Sequence, residues 1–128
     1  EISTLSLHDA LPISDPHKLV ALLLAGACER IRTAEASLQQ NDQARKGKAI
    51  GEACAIVGHL HGSLDHEAGG EIAGNLSALY DFVIMRLTEG NLHNDSTALQ
   101  EALGLMVEID SAWNAIPADQ RHVKAVAP

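Results

Sequence analysis

Seven histidines are the residues of this 128-residue chain with the most obvious capacity for chemistry. Metal centres in helical bundles take Glu-x-x-His pairs, because those two side chains lie one turn apart on the same helix face. No glutamate here has a histidine three residues later. His59 and His61 are two positions apart, so on a helix they point to nearly opposite sides and cannot hold one ion. The spacing favours histidines at the surface or in loops, and it predicts no metal site.

Phosphoryl transfer is the second chemistry that these histidines offer. Histidine phosphotransfer domains are four-helix bundles with a His-x-Leu-Lys-Gly-Ser sequence on an exposed helix face, and residues 59–63 (His-Leu-His-Gly-Ser) resemble it in composition. The register differs, because Gly58 stands four residues before Gly62, where the histidine belongs. No Lys or Arg occurs between residues 49 and 85 to stabilise a phosphoryl group. A histidine phosphotransfer bundle therefore stays as the alternative function.

The two cysteines show no arrangement for nucleophilic catalysis. Cys28 and Cys54 have no adjacent lysine and lie on or beside apolar helix stripes, so we interpret both as small core residues in reduced form. No Ser/His/Asp order and no Gly-rich phosphate loop occurs in the chain. The sequence therefore predicts no enzyme, no catalytic residue and no cofactor.

Composition restricts the partners. The formal net charge is −8, and hydrophobic residues make up 46% but aromatic residues only 2%. Nucleic acids and anionic lipids are bound through basic surfaces, so the acidic balance argues against both. The apolar run between His17-Lys18 and Cys28 is similar to a lipoprotein signal peptide, but its helical spacing continues beyond the cysteine. The run is also too short to span a bilayer, which takes ~20 residues.

Four amphipathic stretches account for most of the chain, because apolar residues recur at steps of three and four, the period of one helix face. The predicted helix starts are at Ser14-Asp15-Pro16, Asn41-Asp42, about Glu71, and Asn94-Asp95-Ser96. The second helix is expected to continue through Leu64 and to end before the turn signal at residues 68–70. Short loops between helices of about 20 residues predict an all-α, up-and-down antiparallel four-helix bundle within one domain.

These helices carry more apolar residues than one stripe buries, for example beside Val57 and Val83. A wide core face or burial beneath a terminal segment explains such a surplus, and so does a hydrophobic groove for a partner's amphipathic helix. We take the groove as the functional hypothesis and assign Tyr80 and Trp113 to packing within the bundle. The predicted groove residues are Ile56, Leu79, Phe82 and Met85.

Several strings of the chain resemble the FliS-type flagellar secretion chaperones. Residues 14–20 (Ser-Asp-Pro-His-Lys-Leu-Val) resemble the family's Ser-Pro-His-Lys-Leu start. Residues 44–50 (Ala-Arg-Lys-Gly-Lys-Ala-Ile) are similar to the Lys-Gly-x-Ala-Ile opening of its second helix. The strongest stretch covers residues 63–81 and continues in order to Trp113, so that the likeness extends over residues 14–116.

The resemblance implies a cytoplasmic chaperone that binds the disordered C-terminal region of flagellin. Such a chaperone prevents premature polymerisation and keeps flagellin ready for the flagellar type III export apparatus. The resemblance implies no nucleotide or metal, and it leaves the oligomeric state open. Leu24 and Ala25 depart from the family, which shows an aromatic and then an acidic residue before Gly26.

The N-terminus is the larger departure from the family pattern. Family members carry a tyrosine-containing segment there that packs against the bundle, whereas residues 4–13 look like the in-frame translation of a sequencing-adapter oligonucleotide. We therefore expect a non-native or disordered leader at residues 1–13. The four-helix chaperone domain is expected at residues 14–116, and a flexible C-terminal tail at residues 117–128.

Overall fold

Four aspartates begin the four α-helices of the computed structural model, which describes residues 15–121. The helices are α1 (Pro16–Gln39), α2 (Gln43–Gly62), α3 (His66–His93) and α4 (Ser96–Asn114), and a 3-10 turn follows at Ala118–Gln120. The carboxylates that accept backbone N–H bonds from the first turns belong to Asp15, Asp42, Asp65 and Asp95. Such a cap satisfies donors that the helix leaves open and places negative charge at the positive end of the helix dipole. The predicted caps of the first, second and fourth helices are therefore confirmed.

The helices form a closed ring in which each one packs against two others. α1 contacts α2 and α4, and α3 contacts the same two helices. The connections at residues 40–42, 63–65 and 94–95 are short, so consecutive helices are antiparallel. The predicted all-α, up-and-down antiparallel four-helix bundle is confirmed for the part of the chain that the structure describes. The predicted leader at 1–13 and the tail beyond residue 121 lie outside the described residues.

The boundary between the second and third helices differs from the prediction. α2 ends at Gly62, and Asp65 caps α3 by accepting a hydrogen bond from the Ala68 backbone N–H at 3.0 Å. Gly70 then interrupts α3 with φ 52° and ψ −123°, a conformation that is strained for residues with a Cβ. The turn signal at residues 68–70 therefore marks a break within α3 and not the turn before it.

The core receives one stripe of side chains from every helix. The large side chains that are fully buried include Leu24, Ile31, Leu60, Val57, Tyr80, Val83, Leu87, Leu99 and Met106. Leu24 therefore packs inside the bundle although it departs from the family pattern, whereas Ala25 is exposed. Burial of this many apolar side chains is the main stabilising contribution to such a bundle.

The two cysteines lie within helices of the bundle. Cys28 is 2% exposed in the middle of α1, and α1 continues from it to Gln39. Burial raises the pKa of both the Cys28 and Cys54 thiols, and the negative charge of Asp110 adds to the rise at Cys28. A thiol that stays protonated is a poor nucleophile, which agrees with the interpretation of both as packing residues. No helix in residues 15–121 is long and apolar enough to cross a membrane.

Lys46 joins the start of α2 to the end of α3. The residue is only 3% exposed. Its Nζ donates hydrogen bonds to Gln43 Oε1 and to the Asn91 carbonyl oxygen, each at 2.9 Å, and to the side chain of Asn94. The last carbonyls of a helix carry the negative end of its dipole, so a cation is favourable there. We therefore expect this contact to stabilise the junction of α2 and α3.

Tyr80 makes the stability of the bundle sensitive to alkaline pH. Its hydroxyl is buried and has no hydrogen-bond partner among residues 15–121, and burial raises its pKa well above the ordinary value. The unfolded chain releases this proton above about pH 10, whereas the folded chain retains it, so stability is lost as the pH rises.

We expect the free energy of unfolding of the unaltered protein to fall, relative to Tyr80→Phe, by up to about 1.4 kcal/mol per pH unit above pH 10. Near neutral pH the variant should be equal or more stable by about 1 kcal/mol, because it no longer buries an unpaired hydroxyl. Urea unfolding of both proteins, near neutral pH and above pH 10, measures the difference in their free energies of unfolding. Parallel pH profiles for the two proteins would contradict this assignment.

Two glycines of α3 provide a matched test of packing. A Cβ on Gly90 would lie 2.5 Å from Leu99 Cδ2, whereas a Cβ on Gly74 meets no other residue within 4 Å. We expect Gly90→Ala to lower the free energy of unfolding by about 1–2 kcal/mol through overpacking. Gly74→Ala should raise it by up to about 1 kcal/mol, because alanine loses less backbone entropy on folding. Thermal unfolding of both variants checks the opposite signs.

Candidate functional site

An apolar groove of about 460 Å³ runs between α3 and α4. One wall is a stripe on α3, and it consists of Ile72, Leu76 and Leu79. The opposite wall is formed by α4 and the residue that follows its end turn, and it consists of Glu108, Ile109, Ala112, Trp113 and Ile116. Positions i, i+4 and i+7 share one helix face, so the α3 stripe extends for about 10 Å along the helix.

The interface between α3 and α4 is closed near the end of α3 and the start of α4. Gly90 has no side chain, which lets Leu99 approach the backbone of α3 directly. One turn earlier on α3, Arg86 Nε donates to Glu101 Oε1 of α4 at 2.9 Å. The groove therefore occupies only the half of the α3–α4 interface nearest the start of α3. There the small side chain of Ala112 leaves space opposite the α3 stripe.

The groove has a buried base and an exposed rim. Trp113 is 6% exposed and belongs to both the core and the groove lining, whereas Ile72 is 55% exposed. Glu108 is the one charged residue in the lining. The free energy of an apolar side chain falls when it enters such a groove, because its surface leaves water. An acidic side chain would lose hydration there and would be repelled by Glu108.

The structure does not bring the four predicted groove residues together on this surface. Leu79 lines the groove. Ile56 is half-buried on α2, where its Cδ1 would lie 3.6 Å from a Cβ on Gly26 of α1. Phe82 and Met85 are 38% and 46% exposed on α3 and lie outside the groove lining. The assignment of all four residues to partner binding remains a prediction, and for Ile56, Phe82 and Met85 it concerns surfaces other than the groove.

Helical periodicity does not single out most of the groove residues. Ile72, Leu76, Ile109 and Trp113 all lie on the apolar stripes that identify α3 and α4. The helical period identifies them as one broad face, but it does not tell which edge of that face the neighbouring helix leaves open. Ile116 lies beyond the end of α4 at Asn114 and still lines the groove, so the apolar stripe extends past the helix.

The histidines near the end of α2 do not form a catalytic constellation. His61 Nε2 lies 3.0 Å from Ser77 Oγ and 3.1 Å from Asp81 Oδ1 of α3. A Ser-His-Asp triad uses one ring nitrogen for the serine and the other for the aspartate, whereas here both contacts involve one nitrogen. The Asp81 carboxylate would also repel a phosphoryl group on that nitrogen. His59 is exposed, and no group of three potential metal ligands occurs among residues 15–121.

The class that the fold defines is an antiparallel four-helix bundle, and its open apolar groove has the character of the surfaces used in helix-in-groove recognition. The family model described as flagellar protein FliS matches residues 3–120. The chain is therefore a member of the FliS family. The matched range includes residues 3–13 of the segment for which the sequence predicts a non-native or disordered leader.

Named relatives agree with this membership. The flagellar secretion chaperone FliSB of Pseudomonas aeruginosa is 42% identical over 103 residues, which are 80% of this chain and 82% of the relative. The flagellar secretion chaperone FliS of Vibrio cholerae is 38% identical over 120 residues, 94% of this chain and 88% of the relative. Its counterpart in Salmonella typhimurium is 42% identical over 112 residues, 87% of this chain and 83% of the relative.

Proposed function

We propose that this protein is a flagellar secretion chaperone that binds the C-terminal region of flagellin in the groove between α3 and α4. The role is one of binding, without a chemical step, and it needs no nucleotide or metal. Its place of action is the cytoplasm, where it keeps flagellin from polymerising before the flagellar export apparatus takes it up. Family membership supports the chaperone role, and the groove supports the mode of binding.

The main support for this proposal is the pair of apolar stripes that face each other across the groove. Ile72, Leu76 and Leu79 repeat with the period of a helix, opposite Ile109 and Ile116. A partner helix with apolar residues at i, i+3 or i+4, and i+7 covers about the same 10 Å, so each of its anchors meets one turn of the groove. A disordered segment that folds into a helix on the bundle buries its own apolar face in the same step.

Isothermal titration calorimetry of the full chain with a peptide from the C-terminal region of flagellin tests the proposal. We expect one peptide to bind per chain, with a negative heat-capacity change, because coupled folding buries apolar surface. A peptide of the same composition in scrambled order is the control, since it lacks the helical period of apolar anchors. Absence of binding by the unaltered protein contradicts the proposal.

A polymerisation assay separates a chaperone from a simple ligand-binding module. Light scattering follows filament growth of purified flagellin on short filament seeds. A molar equivalent of the protein should stop growth, because the bound C-terminal segment is no longer free to join the filament. Unchanged growth in the presence of a protein that binds the peptide would show that binding does not block assembly.

A further inference from the structure

Two hydrogen bonds and a ring stack connect the first turn of α1 to the last turn of α4. His17 Nε2 lies 3.0 Å from the Trp113 carbonyl oxygen, and Trp113 Nε1 donates to the His17 carbonyl oxygen at 2.9 Å. Because a carbonyl oxygen only accepts, His17 carries a hydrogen on Nε2. The two rings stack with centroids 4.5 Å apart and an interplanar angle of 12°. Both residues are buried, with 5% and 6% exposure.

Two of these contacts restrict the indole of Trp113, and the third holds its backbone carbonyl oxygen. The bond from Nε1 orients the ring within its plane, and the imidazole of His17 covers one ring face. Trp113 is also the buried base of the α3–α4 groove. The shape of the groove base therefore depends on a residue of α1 that is not part of the groove lining.

We propose that His17 is a positioning residue that holds Trp113 in the orientation needed for partner binding in the α3–α4 groove. The effect on affinity rests on the function proposed above, whereas the effect on Trp113 does not. A side chain that is already held in its bound orientation loses less conformational entropy when the partner binds. Without His17, we expect the affinity for the flagellin peptide to fall by roughly threefold to tenfold.

Three variants separate the contributions of His17. His17→Gln retains an N–H donor without the ring, His17→Phe retains the ring without the donor, and His17→Ala removes both. Trp113 is the only tryptophan of the chain, so its fluorescence reports on this position alone. We expect stronger acrylamide quenching and a red-shifted emission in His17→Ala, with smaller changes in the other two variants. Ile31→Val is the control, because it alters a buried residue of α1 about 21 Å along the helix from His17.

The measurements are made at a temperature where circular dichroism shows each variant to be folded. The proposal predicts that quenching and peptide affinity change together in the His17 variants and that neither changes in Ile31→Val. Equal quenching in His17→Ala and the unaltered protein overturns the positioning role. Altered quenching with unchanged affinity overturns the link to the groove. Failure of the unaltered protein to bind the peptide overturns the proposed function instead, and the quenching data still decide the effect on Trp113.

Discussion

Replacing Ile72 with glutamate is expected to weaken binding of the flagellin C-terminal peptide at least tenfold. Ile72 lies on the rim of the groove and is 55% exposed, so the substitution leaves the core intact. In the complex, however, the new carboxylate has to lose hydration beside apolar side chains and near Glu108. Loss of one well-buried aliphatic contact costs about 1.5–3 kcal/mol, and about 1.4 kcal/mol corresponds to a tenfold change in affinity. Isothermal titration calorimetry measures the dissociation constant.

Leu92→Glu is the matched control for this prediction. Leu92 is on the same helix and is 73% exposed, but it does not line the groove. The control should bind the peptide as tightly as the unaltered protein. Phe82→Glu and Met85→Glu test the outer face of α3, where the surplus of apolar residues predicts a binding surface. If those two variants lose binding and Ile72→Glu retains it, the groove assignment is wrong.

Replacing Lys46 with methionine is expected to lower the free energy of unfolding by about 2–3 kcal/mol, since hydrogen bonds to a charged group contribute about 1.5–3 kcal/mol each. Methionine has a similar shape but no donor. The carbonyl oxygen of Asn91 and the side-chain oxygens of Gln43 and Asn94 would lose the ammonium that now joins them. Relief from burying a charge offsets part of this loss, which is why the expected cost is less than the sum of three bonds.

Lys48→Met controls for the general effect of removing a lysine. Lys48 is two residues further along α2 and is exposed, so its replacement should change the free energy of unfolding by less than about 0.5 kcal/mol. Urea titrations of both variants give the two values under the same conditions. Equal midpoints for Lys46→Met and Lys48→Met would show that the buried contact does not stabilise the junction of α2 and α3.

The elements of the fold were predictable because local chemistry determines them. An aspartate followed by proline at residues 15–16, and another aspartate at 42, accept hydrogen bonds from nearby backbone groups whatever the rest of the chain does. The start of α3 was missed for a reason of the same kind. Gly69 and Gly70 form a strong turn signal, but a glycine break can interrupt a helix as well as precede one, and the cap at Asp65 decides between the two.

The candidate site was only partly predictable from the apolar surplus. Leu79 lines the groove, where its role in partner binding remains a prediction. The resemblance to the flagellar chaperones predicted the family, and the family match over residues 3–120 confirms it. Phe82 and Met85 were chosen because they fall outside the α3 stripe, whereas the groove is built from the edge of the stripe itself. Residues at that edge have the same spacing as core residues, so periodicity alone does not distinguish them.

The sequence by itself determined four amphipathic helices, the caps of three of them, their antiparallel order and the family, because caps, periodicity and short loops act between residues close in the chain. Only the tertiary structure decided which side of each apolar face meets another helix and which side stays open. His17 and Trp113 are 96 residues apart, and Lys46 lies 45 residues from Asn91. A helical pattern specifies where a side chain lies around its own axis, but the rotation of one helix against the next follows from how all their side chains pack together.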